Sequence, residues 1–225
     1  MTFNHIAHTL MTAGTALYEL FEDIGFFTSI TMCYFFTEGY FYTSSKKKYA
    51  KRLLIFALIS EIPYVLAMGY FQLNVMFTFL ICFGIYAVPD SKLNNSLKTI
   101  SVIVLILFSA LCDCAFILPI AALLFRFGRG DRKKQAIAWT AVCAMFFALS
   151  FMGYAFSDSD TPFSLGYALL HSFYAVIAWI ASAIIIMFLY NGKKSEKHLL
   201  LNKWSFYIYY PLHLLILWSI KYFIM

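Results

Sequence analysis

Two short strings set an ionisable side chain beside a proline deep in apolar sequence. In LISEIPYVLA, Glu61 precedes Pro63 by two residues; in WSFYIYYPLHLLILWSI, His213 follows Pro211 by two. Proline lacks a backbone donor and crowds the carbonyl four residues back, so each is expected to kink its helix and free carbonyls next to an acid or an imidazole. An imidazole exchanges protons near neutral pH, and a carboxylate can orient it, so Glu61 and His213 together would suit general-base chemistry. The plainer alternative is a polar pair that satisfies two groups otherwise costing several kcal/mol each in a membrane interior.

Two more acids stand in or beside apolar runs. Glu38, in YFFTEGYFYT, is close enough to a following basic stretch to act either in a site or as an interfacial ion-pair partner of Lys46 or Arg52. Asp113 lies in the turn CDC and reads either as a site residue or as a solvated turn residue. Its flanking thiols, Cys112 and Cys114, have no further ligands nearby, so no metal site is expected. The odd count of five cysteines argues against a disulfide framework. Of the other histidines, His5 and His8 fall at the start of the first apolar run, His171 in the eighth, and His198 in a loop. No Ser-His-Asp spacing, glycine-rich phosphate loop, HExxH or paired CxxC occurs, and no nucleotide-binding domain that would power a pump.

The elements that must position these residues follow from composition. The 225 residues are 62% hydrophobic and only 12% charged, which excludes a soluble globular domain. Nine apolar runs are legible, at 6–21, 24–43, 53–71, 73–88, 99–112, 114–127, 136–156, 165–190 and 204–224. Helices satisfy their own backbone in lipid, so the expectation is an all-α, polytopic transmembrane bundle of about nine segments forming one integral membrane domain, 1–225, with the first, fourth, fifth and sixth short. No cleavable signal peptide is expected. The loops SSKKKYAKR, SKLNNSLK, RFGRGDRKKQ and NGKKSEKHLLLNK hold every Lys and Arg except Lys221, while the alternate turns FED, GYFQLN, CDC and SDSDTPFS hold none. Basic loops stay cytoplasmic, which predicts a cytoplasmic N-terminus and an external C-terminus. The net charge of +6 then belongs to a surface facing the lipid bilayer, and nucleic-acid binding is not expected.

The string IGFFTSITMCYFFTEGYFYTSSKKKYAKRLLIFALISEIPYVLA, with NVMFTFLICFG and YIYYPLHLLIL, resembles the TraX family of polytopic bacterial membrane proteins. The likeness is densest over 24–88 and 206–217 and weaker around CDCAFILPIAALLFRF. The family's founder is implicated in acetylating conjugative pilin. The resemblance therefore implies a membrane acyltransferase of the bacterial cytoplasmic membrane, using acetyl-CoA or another acyl-CoA as donor and a peptide or glycan as acceptor. It also implies that Glu38, Glu61, Asn74, Asp113 and His213 are matched polar positions. Two family features are absent: the first helix, LMTAGTALYEL, lacks an Asp-His pair, and Phe26 and Ile30 stand where Arg and Pro are usual. His5 or His8 is the candidate substitute.

On this reading His213 is the base, oriented by Glu61 or Glu38. Asn74 donates to the developing oxyanion, and Lys48 and Arg52, with their basic neighbours, attract the donor's phosphates. The alternative is a catalytically inactive relative that binds, or protects against, a peptide or lipid, supported by the missing first-helix residues. A transporter is the third reading, resting on proline-kinked helices alone.

Overall fold

A computed structural model describes the backbone of residues 1–156, 165–192 and 199–224. The expected loops over 157–164 and 193–198, His198 included, lie outside the described residues. The described chain is all-α: α1 (Thr2–Leu10), α2 (Ala16–Tyr42), α3 (Lys46–Met68), α4 (Val75–Ala87), α5 (Asn95–Phe108), α6 (Ile117–Gly128), α7 (Arg132–Ala155), α8 (Leu165–Ile184, extended by a π-helical turn, Ile185–Leu189) and α9 (Leu199–Ile224).

Local chemistry sets the starts of these helices. Thr15, Ser45, Asn74, Asn94 and Asp131 each turn a side-chain oxygen onto amides of the first turn of α2, α3, α4, α5 and α7. Gly69 closes α3 in the left-handed region at φ 81°, a conformation that glycine adopts without penalty. The basic loops flank the starts of α3, α5 and α7 and the ends of α2, α4 and α6, so one end of the bundle is basic, as the loop alternation predicts. The other end carries Glu19, Glu22 and Asp23 at the start of α2.

The first expected span, 6–21, does not form. Helix breaks at Met11–Thr15, where Gly14 takes φ 81°. The nine residues of α1 reach only about 13 Å, too short for a hydrocarbon core of about 30 Å. Instead α1 runs antiparallel along α2: the Met1 amine donates to Thr28 Oγ1 at 2.8 Å, Asn4 lies against Gly25, and His8 meets Glu22. Its first residue thus lies alongside the middle of α2 rather than at the basic end where the loop charges had placed it. Hydropathy could not see this, because a short helix folded back on its neighbour is as apolar as a span.

Among the described residues two helices, Arg132–Ala155 and Leu165–Leu189, are long and apolar enough to cross a membrane. The 12 to 14 residues of α4, α5 and α6 give each about 20 Å, so a bundle of nine spans does not follow from these lengths. Between the short helices, non-helical backbone enters the protein and pairs with itself: Leu73 N–H donates to Leu111 O at 3.0 Å and Asp113 N–H to Leu73 O at 2.7 Å. Such backbone is tolerated away from water only where it is satisfied in this way. The helices of α3 and α9 continue unbroken through Pro63 and Pro211, where the sequence suggested openings.

The interior is aromatic. Trp139, Trp179, Tyr40, Tyr64, Tyr86 and Tyr210 are fully buried, and Phe146 stacks on Trp179 at 4.0 Å between ring centres. The outside is apolar too, with Leu58, Ile62, Ile103, Leu107 and Phe188 all exposed, a surface that a bilayer solvates and water does not.

Candidate functional site

His213 and Glu61 do not form the pair that their sequence contexts suggested. His213 Nε2 lies 2.8 Å from His5 Nδ1, and His213 Nδ1 lies 2.9 Å from the carbonyl of Tyr209, one turn earlier in α9. Both imidazoles are buried, at 3% and 5% exposed, and this contact is made out of reach of bulk solvent. The ring centres are 5.1 Å apart and the planes differ by 5°. A ring radius at each end of a 2.8 Å bond accounts for that separation, so the rings lie edge to edge in one plane, with the bond along a lone-pair direction. Tyr64 and Tyr210 wall the pair edge-on, and the Tyr209 ring lies parallel to His213 at 5.0 Å. The Tyr209 hydroxyl reaches Thr2 Oγ1 at 2.6 Å, tying α9 to α1.

Beside His5 is a cavity of about 150 Å³ between α1, α2, the start of α4 and the 112–116 segment, lined by His5, His8, Asp113, Cys114, Thr28 and Phe79 among others. Its α2 walls run from Gly25 to Met32, which lie 17 and 10 residues from Tyr42, hence about 25 and 15 Å from the basic end of that helix. The cavity is therefore midway along the bundle. Asp113 is held there through its backbone, its N–H on Leu73 and its carbonyl accepting from Thr78 Oγ1 at 2.5 Å, while Cys114 Sγ donates to its Oδ1 at 3.6 Å. The segment is tightly turned, with Cys114 and Phe116 both at positive φ, 55° and 59°.

Glu61 serves a different purpose. Its Oε2 accepts from Asn74 N at 3.1 Å and from Asn74 Nδ2 at 2.7 Å, and Nδ2 also donates to Ala57 O at 2.8 Å. Asn74 Oδ1 meanwhile caps Met76 N. Both amide hydrogens are thus committed, and Asn74 has none to offer an oxyanion. The Glu61–Asn74 pair instead pins the start of α4 to α3.

Glu38 is bound to Arg129 Nε at 3.4 Å, an ion pair at the basic end with a partner other than Lys46 or Arg52. Lys46 pairs with Asp90 at 2.9 Å. Lys48 and Arg52 lie in the first two turns of α3, and the Arg52 guanidinium sits 5.6 Å over the Tyr49 ring. Neither lines the histidine cavity.

Three carboxylates at the acidic end are not among the site candidates that the sequence singles out, although two of them stand in the base-free turn FED. Glu19, Glu22 and Asp23 are spaced i, i+3, i+4, so they share one face of α2. Glu22 pairs with His8 Nε2 at 3.2 Å, and Glu19 with His171 Nδ1 at 3.5 Å. His8 also bonds the Tyr18 hydroxyl at 2.8 Å. A groove of about 660 Å³ between α2 and α8 is lined by Glu19, Asp23 and His171 over an otherwise apolar floor. Among the described residues no group of three or more His, Cys, Asp or Glu side chains is arranged to hold a metal ion.

No solved structure matches the chain. A curated relative, described as a probable fimbrial assembly protein FimC, serogroup H1, of Dichelobacter nodosus, is 27% identical over 237 aligned residues, covering all of this chain and 92% of the relative. The family model described as TraX protein matches residues 1–221, so nearly every element above, from the α1 histidine to the α9 histidine, falls within it, and the chain belongs to the TraX family.

Proposed function

We propose that this is an integral membrane acyltransferase of the bacterial cytoplasmic membrane, moving an acetyl or other acyl group from acyl-CoA to an amine or hydroxyl. The observation that carries the reading is the His5–His213 bond beside a polar cavity midway along the bundle. A buried imidazole pair is costly to maintain and suited to proton transfer, and a mid-bundle cavity lets a donor anchored at one end meet an acceptor from the other. Lys47, Lys48, Lys51 and Arg52 supply positive charge for the donor's phosphates at the basic end. At the acidic end, the relative's description as a fimbrial assembly protein favours a peptide acceptor, such as a surface-fibre subunit, over a glycan.

In this reaction the acceptor nitrogen or oxygen attacks the thioester carbonyl as the imidazole pair takes its proton. The carbon–sulfur bond then breaks, and the proton passes to the departing thiolate. Purified protein in detergent or vesicles, given labelled acetyl-CoA and an envelope extract of its host, is expected to transfer label to an acceptor. Failure to consume any acyl-CoA in the presence of that extract would refute the reading.

The competing reading, a non-catalytic relative, draws on Glu38, Glu61 and Asn74, whose contacts are all structural. That reading predicts a host phenotype indifferent to both histidines.

A further inference from the structure

We infer that His5 Nε2 is the nitrogen that takes the acceptor's proton and that His213 is a positioning residue, where the sequence reading makes His213 the base with Glu61 or Glu38 to orient it. The inference rests on the acyl-transfer reading above. A base needs an unoccupied lone pair facing the substrate, and the hydrogen bonds decide which ring has one.

The Tyr209 carbonyl can only accept, so His213 Nδ1 carries a hydrogen. In a neutral ring, Nε2 then holds the lone pair, and its partner at 2.8 Å, His5 Nδ1, must be the donor. Both His213 nitrogens are consumed. In His5 the hydrogen is on Nδ1, so the lone pair is on Nε2, which has no hydrogen bond within the protein among the described residues. His5, and not His213, lines the cavity. The order is Tyr209 carbonyl, His213, His5, substrate, and each bond fixes the tautomer of the next ring.

The proton balance closes on this arrangement. As the acceptor's N or O bonds to the acyl carbon, its proton goes to His5 Nε2, and the imidazolium so formed is held by a charge-assisted Nδ1–H bond to the His213 lone pair. When the carbon–sulfur bond breaks, the proton leaves Nε2 for the CoA thiolate, and both rings return to their starting tautomers. His213 thus does for His5 what a buried carboxylate does for the histidine of a Ser-His-Asp triad, without carrying a charge. Tyr209 assists by fixing the His213 ring from its own backbone oxygen and by holding α1 through Thr2.

The test is a set of four variants assayed for label transfer from acetyl-CoA, with folding monitored by gel filtration and thermal melting. His5→Asn places an amide N–H where Nδ1–H was and removes Nε2, so the bond to His213 survives and the base is lost. It is expected to fold like the wild type and to lower kcat about 100-fold or more with KM little changed. Free imidazole is expected to restore part of the activity of His5→Ala by entering the enlarged cavity. His213→Gln retains an acceptor for His5 Nδ1–H and is expected to stay within about tenfold of wild type, whereas His213→Leu has no acceptor and is expected to fall well below it.

Wild-type activity together with transfer by His5→Asn within twofold would overturn the inference and leave the acyltransferase reading standing. Equal loss in His213→Gln and His213→Leu would do the same for the positioning role. Absence of transfer by the wild type itself would remove both.

Discussion

Gly25→Ala tests whether the site depends on how closely α1 docks against α2. A Cβ built on Gly25 would lie 2.3 Å from Asn4 Cβ and 2.9 Å from both Asn4 Cα and N. Carbon atoms in contact sit about 3.5–4.0 Å apart, so the methyl group is more than 1 Å too close. Two of the three obstructing atoms are backbone, and no rotamer change relieves them, so α1 has to move away as a unit. His5 follows Asn4 directly. A shift of about 1.2 Å would carry its imidazole a similar distance out of line with His213 on α9, disturbing the 2.8 Å bond that fixes the ring. Misplacement of a catalytic group by about 1 Å costs on the order of 100-fold in rate. The stability change is expected to be smaller, because the overpacking penalty of about 1–3 kcal/mol is partly offset by the roughly 0.5–1 kcal/mol that alanine gains over glycine inside a helix. The assay is label transfer beside a thermal melt of the same preparation. Transfer within twofold of wild type, with an unchanged or raised melting temperature, would show that α1 is not held against α2 as described.

Glu61→Gln retains an oxygen for the Asn74 amide and is expected to cost little, whereas Asn74→Ala loses the α4 cap and the Nδ2 bonds to Glu61 and Ala57, leaving Glu61 only the backbone amide of residue 74, and is expected to lower stability by about 1–3 kcal/mol in a denaturant titration in detergent. Glu38→Ala, opening an ion pair at the basic end, is expected to change stability by about 1 kcal/mol or less; a larger loss would give Glu38 a further role. Tyr209→Phe removes the hydroxyl bond to Thr2 but keeps the carbonyl that holds His213, so transfer is expected to fall less than tenfold; a drop as deep as that of His5→Asn would contradict the order of the relay. Lys46 beside Asp90 holds that carboxyl below its ordinary value. A lowered carboxylate pKa stabilises above the unfolded value and is lost as pH falls through the folded one. The contribution of this exposed pair is expected to be small, to vanish in acid and to weaken in salt, and a double-mutant cycle at two ionic strengths measures it.

Much of the fold was legible because it depends on local rules. The alternation of basic and base-free loops located one end of α2 through α7, and caps such as Ser45 and Asp131 sit where helix-start chemistry puts them. Asp113 and His213 were singled out from the cost of burying polar groups, and both occur where polar contacts converge. Glu61 was singled out on the same ground, yet it pins α4, because a structural partner, Asn74, takes up its Oε2. The placement of α1 was not legible: Gly14 and Thr15 mark the break, but nothing in an apolar run says whether the next helix continues across the bilayer or turns back.

The sequence by itself determined an all-helical, largely apolar chain with a basic end, and it drew attention to an imidazole that must find a partner. Only the tertiary structure decided which partner. His5 and His213 are 208 residues apart, and their 2.8 Å bond exists because Gly25 lets a short helix lie close against α2 and because Tyr209 holds both the His213 ring and α1. Composition and periodicity report which groups must be satisfied. Contacts between residues this far apart in the chain decide by which neighbours, and so decide which nitrogen is left free to react.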